Sequence, residues 1–275
     1  MTIFVTGATG FIGRHLVAQA LTEGHDVRAL CRRMPDSFPS SPRLKWIVCD
    51  LESVSRNELS GADVLIHLAV DGISTGPPEW ESCFRVNVSS SLKLWRRAAD
   101  EGVRRFIIGG SCLEYGRSGE RYQFIPVDAP LEPIGAYGAS KAAASIAAMG
   151  LGIDRKLELA ILRPFHIFGD GQNETSFWPS LRRAAMRGED FPMTLGEQVR
   201  NFMPVENVAA QFLFCATCKE IVAAQPLLRN IGSGQTTTLR AFAERWWRLW
   251  GATGALRPGA IPYRSNEVMR YVPKI

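Results

Sequence analysis

The chain has 275 residues, 46% hydrophobic and 21% charged, which provides a core for one large α/β domain or a nucleotide-binding domain with a small lobe and argues against disorder. Its 32 Lys and Arg against 27 Asp and Glu give a formal charge of +5, but no basic stripe interleaved with aromatics runs along it, so anionic small molecules are favoured over nucleic acid. No stretch approaches the roughly 20 apolar residues of a membrane span, and the first strand begins at Thr2 with no room ahead of it for a secretory leader, so a cytoplasmic protein without nucleic-acid or membrane partners is expected.

Apolar, β-branched runs alternate with helical patterns through the first two-thirds of the chain. They predict strands near 2–6, 26–31, 44–49, 63–68, 103–109 and 157–163, and helices near 11–22, 79–100 and 137–152. Right-handed crossovers then place helices on both faces of one twisted parallel sheet, a Rossmann-type doubly wound α/β fold. After Pro164 the alternation ends, and 165–206 mixes Gly, Pro, Asn and aromatics around one short helical run near 177–188. The expected division is a dinucleotide-binding domain over 1–164 and, over 165–275, mainly a substrate lobe with some segments returning to the first domain. Such a lobe lies over the crevice at the carboxyl ends of the strands.

The first strand runs straight into Gly7, Ala8, Thr9, Gly10, Phe11, Ile12 and Gly13, followed by a helix with Leu16, Val17 and Ala20 on its apolar face. Glycines between strand and helix let the backbone approach a pyrophosphate, whose charge the free N–H groups of the helix start can hold. The second strand ends in Arg32 and Arg33, with no carboxylate for a ribose 2′-hydroxyl. Two guanidiniums suit a 2′-phosphate, so NADP is the expected cofactor and NAD the alternative. Asp50 and Leu51, after the third strand, are expected beside the adenine.

The six cysteines, Cys31, Cys49, Cys83, Cys112, Cys215 and Cys218, fall mostly in predicted strands or helices, as buried thiols of a reducing compartment do. Cys215 and Cys218 form a CxxC inside the helix-like run 207–219, without a second Cys or His pair, and the four histidines are scattered; no metal site is expected. Trp246, Trp247 and Trp250 sit in a helix-like run and are expected to pack the lobe.

Tyr137 and Lys141 are four apart in an Ala-rich helix and so share a face. A phenol of ordinary pKa near 10 is a poor base at neutral pH, and the lysine ammonium together with an oxidised nicotinamide is expected to favour its ionised form. Tyr137 can then exchange a proton with a carbinol or carbonyl oxygen while a hydride moves to or from the nicotinamide.

With these motifs in order, the sequence resembles the extended short-chain dehydrogenase/reductase family, in particular its nucleotide-sugar epimerase, dehydratase and ketoreductase members. The matching stretches are TGATGFIG at 6–13, HLAV at 67–70, Asn87 with Val88, the run 111–116, Tyr137 with Lys141, Leu162-Arg163-Pro164, Arg200-Asn201-Phe202 with Val205, and Asn230-Ile231-Gly232. The resemblance implies a nucleotide-sugar substrate and a homodimer. It implies that Ser111 hydrogen-bonds the reacting oxygen beside Tyr137, that Leu68, Ala69 and Val70 line the cofactor, and that Asn87 is a structural or relay residue near the site. Pro164 and His166 would flank the nicotinamide and the sugar, and Arg200 would neutralise a diphosphate. Asn87, Ser111, Cys112, His166 and Arg200 are thus the candidate substrate residues.

The 4,6-dehydratases of that family carry an acidic pair directly after the catalytic Ser or Thr, where this chain has Cys112 and Leu113; Glu114 comes one position late, and a one-residue shift turns a side chain another way. Dehydratase chemistry is disfavoured, as is that of the related decarboxylase. The preferred reading is an NADPH-dependent reductase of a 4-keto-6-deoxy sugar nucleotide, in deoxysugar synthesis. An NAD-dependent sugar epimerase is the alternative, and a non-catalytic NADP-binding regulator is the reading outside enzymes.

Overall fold

The computed structural model describes residues 1–38, 40–73, 76–265 and 267–275. In chain order the strands are Thr2–Thr6 (β1), Asp26–Cys31 (β2), Leu44–Val48 (β3), Val64–His67 (β4), Arg105–Gly109 (β5), Glu158–Pro164 (β6), His166–Phe168 (β7), Phe191–Met193 (β8), Val199–Arg200 (β9), Phe202–Pro204 (β10), Leu227–Ile231 (β11), Thr237–Thr238 (β12), Leu256–Pro258 (β13) and Arg270–Tyr271 (β14). The α-helices are Phe11–Thr22 (α1), Arg56–Leu59 (α2), Trp80–Phe84 (α3), Ser91–Asp100 (α4), Gly135–Asp154 (α5), Phe177–Arg187 (α6), Val205–Thr217 (α7) and Leu239–Leu249 (α8).

Seven strands form one sheet in the order β11-β6-β5-β4-β1-β2-β3, and every pairing in it is parallel. The fold is the expected Rossmann-type one. A parallel sheet covered on both faces needs strands that are apolar on both faces; β4, Val-Leu-Ile-His, is buried at all its residues. On one face α1 and α7 pack over Val5, Ile66 and Ile107. On the other, α4 and α5 cover Phe4, Leu65 and Phe106. The strand order reverses between β1 and β4, so the ends of these two strands open the crevice in which such sheets bind ligands.

Two features differ from the sequence expectation. The single helix expected over 79–100 is interrupted by a π-helical turn at Arg85–Ser90, between α3 and α4; this wider turn carries Asn87, whose side chain is fully engaged, and π turns often sit at functional sites. Beyond Pro164 the chain is not merely irregular. It forms three small sheets, β10 with β7, β12-β9-β14, and β13 with β8. Their strands are two or three residues long, too short to reveal an alternation of period two. Trp246 and Trp250 pack with Trp178, and Trp247 donates to the Gly254 carbonyl at 3.0 Å, the lobe packing expected of this cluster. Among the described residues no helix is long and apolar enough to cross a membrane.

Candidate functional site

The site begins where β1 turns into α1. Gly7 has φ +67°, and a Cβ on it would lie 2.6 Å from the Leu68 carbonyl carbon and 2.7 Å from the Ala69 nitrogen. A Cβ on Gly13 would stand 2.1 Å from the Gly7 carbonyl oxygen. Only glycine at both positions lets the turn lie against the end of β4 and lets α1 start so close behind it. Gly10 precedes α1 without a side-chain cap, and its own N–H bonds back to the Gly7 carbonyl at 2.9 Å. The first helical amides, at Phe11 and Ile12, thus lack an intrahelical acceptor by geometry and carry the positive end of the helix dipole. Thr9 bears on the same turn, its carbonyl accepting from Arg14 at 3.2 Å.

The wall opposite the glycines is fixed by a buried chain of hydrogen bonds. Thr6 Oγ1 accepts from the N–H groups of Leu68 and Ala69, both at 3.1 Å, and lies 2.9 Å from His67 Nδ1. His67 Nε2 lies 3.0 Å from Ser91 Oγ, which donates to the Val86 carbonyl. The directions follow from counting protons. Ser91 has spent its hydrogen and Thr6 both lone pairs, so Nε2–H donates to Ser91 and Nδ1 accepts from Thr6. The ring is therefore neutral, in agreement with burial, then Lys141, pushing its pKa down to about 3. Leu68, Ala69 and Val70 follow, each partly exposed to the crevice.

Arg32 and Arg33 continue from β2, both exposed, with no hydrogen bond or ion pair to any described residue. Asp50 is exposed and caps a turn, Oδ1 accepting from Glu52 N at 3.0 Å and Ser53 N at 2.8 Å. The Ser53 hydroxyl first, then these backbone contacts, hold its carboxyl below the usual range. Leu51 is buried beside it.

The catalytic candidates gather at the end of β5. Ser111 opens a 3-10 turn over Cys112–Glu114, its Oγ accepting from Leu113 N at 3.1 Å. Tyr137 stands in the first turn of α5, partly exposed, with its hydroxyl on the side of Ser111. Burial raises the Tyr137 hydroxyl above its ordinary pKa, and the Ser111 contact opposes this only in part. Lys141 is 5% exposed, and its Nζ donates to the Gly109 carbonyl; burial lowers its pKa. The expectation joined the lysine charge to that of an oxidised nicotinamide; in the protein alone burial is the largest influence on Tyr137 and acts to raise its pKa.

Asn87 ties this helix to the crevice wall. Its Oδ1 accepts from Asp71 N at 2.7 Å, and its Nδ2 donates to the Asp71 carbonyl at 3.0 Å and to Ser140 Oγ at 2.9 Å. Ser140 in turn donates to the Tyr137 carbonyl at 2.9 Å.

A second network was not foreseen from the sequence. Glu114, 0% exposed, accepts from Ser111 N at 2.8 Å and from Arg163 Nε at 2.8 Å. Arg163 also donates to the Tyr115 hydroxyl and the Val127 carbonyl, each at 3.0 Å, and Tyr115 donates to Asn230 Oδ1 at 2.7 Å. Glu114 therefore turns inward and supports the Ser111 turn from behind. The signal available in the sequence was a lone arginine at the end of the apolar strand 157–163 and a lone glutamate between Leu113 and Tyr115, since an isolated charge among apolar residues demands a partner.

On the substrate side, Cys112 is buried and its thiol is pushed up to about 12 by burial and then Glu114, while Leu113 is 49% exposed. Neither is an acid. Pro164 ends β6, paired with Ile231. His166 Nδ1 is buried without a partner among the described residues, the ring packs edge-on to Phe202 at 5.9 Å, and burial, then Arg200, pushes its pKa down to about 3. Arg200 is ion-paired with Glu267 at 3.4 Å and donates to the Val268 carbonyl at 2.5 Å, contacts the sequence reading did not anticipate. Cys215 and Cys218 are buried thiols; among the described residues no three His, Cys, Asp or Glu side chains converge on a metal position.

The glycine cradle, which a Cβ would fill, and the uncapped start of α1 fit a dinucleotide pyrophosphate. The family model described as "NAD dependent epimerase/dehydratase family" matches residues 3–226. The chain is 26% identical over 280 residues, 98% of each sequence, to the dTDP-6-deoxy-L-talose 4-dehydrogenase (NAD(+)) of Aggregatibacter actinomycetemcomitans. It is 27% identical over 279 residues to a UDP-glucose 4-epimerase of Neisseria meningitidis serogroup B, covering 87% of this chain and 81% of that one. Among solved structures, MoeE5 in complex with UDP-glucuronic acid and NAD superposes with a TM-score of 0.85 at 27% identity, over 100% of this chain and 90% of that one. The cradle, the Tyr137–Lys141 pair and the match over most of its length lead to one assignment: the chain belongs to the NAD dependent epimerase/dehydratase family.

Proposed function

We propose that the protein reduces the 4-keto group of a 6-deoxy sugar nucleotide with NADPH. The observation that carries this reading is the placing of Tyr137 beside Ser111 in buried surroundings that raise its pKa, so that its hydroxyl can give a proton to a carbonyl oxygen. Bound in the cradle, NADPH supplies the hydride. Ser111 and Tyr137 orient the substrate oxygen, and the Tyr137 hydroxyl donates as negative charge grows there. Lys141, fixed on Gly109, lies on the same helix face and stabilises the phenolate left behind. With Cys112 and Leu113 where an acidic pair would stand, no residue there is equipped to eliminate water from the sugar. The unpaired Arg32 and Arg33 favour the 2′-phosphate.

The likeness to a 4-dehydrogenase of a 6-deoxy sugar nucleotide supports the choice of C4. That relative uses NAD(+), so the reading of the arginines is independent of it. The UDP-glucose 4-epimerase likeness favours the second reading, an epimerase that retains NAD and returns the hydride to the same sugar. Supplying NADPH with a dTDP-4-keto-6-deoxyhexose separates the two. The reductase consumes both, whereas the epimerase leaves the nicotinamide unchanged.

A further inference from the structure

Outside the catalytic cluster, α6, α8 and the start of α7 enclose a cleft of ≈ 850 Å³. Its apolar walls are Phe168, Trp178, Phe202, Phe242, Trp246 and Trp250, and none of Ser111, Tyr137, Lys141, His166 or Arg200 lines it. Volume and aromatic content are those of a small-molecule site. We propose that this cleft binds a neutral saccharide, independently of the reaction at Tyr137.

Charge selects the ligand class. Two carboxylates, Asp170 and Glu206, and two guanidiniums, Arg182 and Arg245, are in its lining. Asp170 already pairs with Arg182 at 2.6 Å, and Arg182 lies over the Trp178 ring at 5.6 Å. The lining thus carries no net positive charge to select a phosphate, while a purely hydrocarbon ligand would strand this charged rim. The remaining rim is neutral and polar, with Ser233, Gln235, Thr236 and Thr237. Acceptors, donors and flat apolar walls together match a pyranose, whose C–H faces lie on indole rings and whose hydroxyls each donate and accept.

Calorimetry and tryptophan fluorescence with glucose, galactose, maltose and cellobiose test the proposal, with NADPH present at saturation, first without UDP and then with it added. The expected result is binding with a Kd of roughly 0.1–10 mM and a changed indole emission. Trp250→Ala should weaken binding about tenfold or more, and so should the surface variant Arg245→Ala, which carries little folding risk. NADPH turnover should be unchanged in Arg245→Ala. Absence of binding by all four sugars would overturn the proposal. So would displacement of the sugar by UDP, which would make the cleft part of the substrate site, or binding of uridine monophosphate in the cleft in preference to the sugars.

Discussion

The two halves of the site are built by different means. The cofactor cradle is made of backbone: Gly7 and Gly13 are small so that a turn, a helix start and the end of β4 can touch. The shelf that carries Ser111 is made of side chains, with Glu114, Arg163, Tyr115 and Asn230 joined in a buried network. A backbone device needs particular residues at consecutive positions and is written locally. A side-chain device joins residues 49 and 115 apart in sequence and is written only in the fold.

The sharpest way to break the shelf without touching the cradle is Arg163→Met. It leaves the Glu114 carboxyl buried and unpaired, and should cost about 3–5 kcal/mol of stability. Denaturant unfolding measures this, and Glu114→Leu added to it should recover part of the loss, because the pair is then replaced rather than broken. Stability unchanged in the single variant would mean the network does not hold the turn.

Tyr137→Phe attacks the shelf's chemistry instead of its support. Turnover should fall by about 100-fold or more with cofactor affinity nearly unchanged. Steady-state kinetics with a separate cofactor titration tests both halves of that statement, and a parallel loss of cofactor binding would join the regions that the comparison separates.

This contrast explains what was legible in the sequence. The sheet, α1 and the glycine turn were readable because a strand, three glycines and an amphipathic helix follow one another without interruption. Tyr137 and Lys141 were readable from helical spacing, but the burial that raises the tyrosine's pKa was not, since desolvation depends on what packs around it. Glu114 could be seen to miss the dehydratase position, yet its engagement with Arg163 required β5 and β6 to be neighbours. The lobe's small sheets and the Arg200–Glu267 pair were beyond reach, because strands of two residues have no periodicity and ion pairs no local signature.

On the cradle's outer edge, Arg32→Ala should reduce discrimination between NADPH and NADH. A charge-assisted contact of roughly 1.5–3 kcal/mol corresponds to a preference of about 10–100-fold, and most of it should vanish in the variant while turnover at saturating cofactor holds. Equal affinities in the unmodified protein would remove the arginines from the argument.

A further effect is on pH dependence. His67 and His166 are both held well below their ordinary value of 6.5, at about 3, mainly by burial. In that window the unfolded chain binds protons that the folded one refuses, so stability is complete above 6.5 and falls as the pH is lowered towards 3. His67→Gln keeps a donor towards Ser91 and removes one titrating group, so stability should fall less steeply with acid. An unchanged slope would mean that His67 is not buried as a neutral ring.

The most direct test of the proposed chemistry is the stoichiometry of the nicotinamide. With a dTDP-4-keto-6-deoxyhexose as substrate, absorbance gives NADPH consumed and chromatography gives sugar reduced. One NADPH oxidised for each keto group lost is the predicted result, abolished in Tyr137→Phe. Interconversion of sugar nucleotides with no net change in the nicotinamide would contradict it and assign the site to epimerisation.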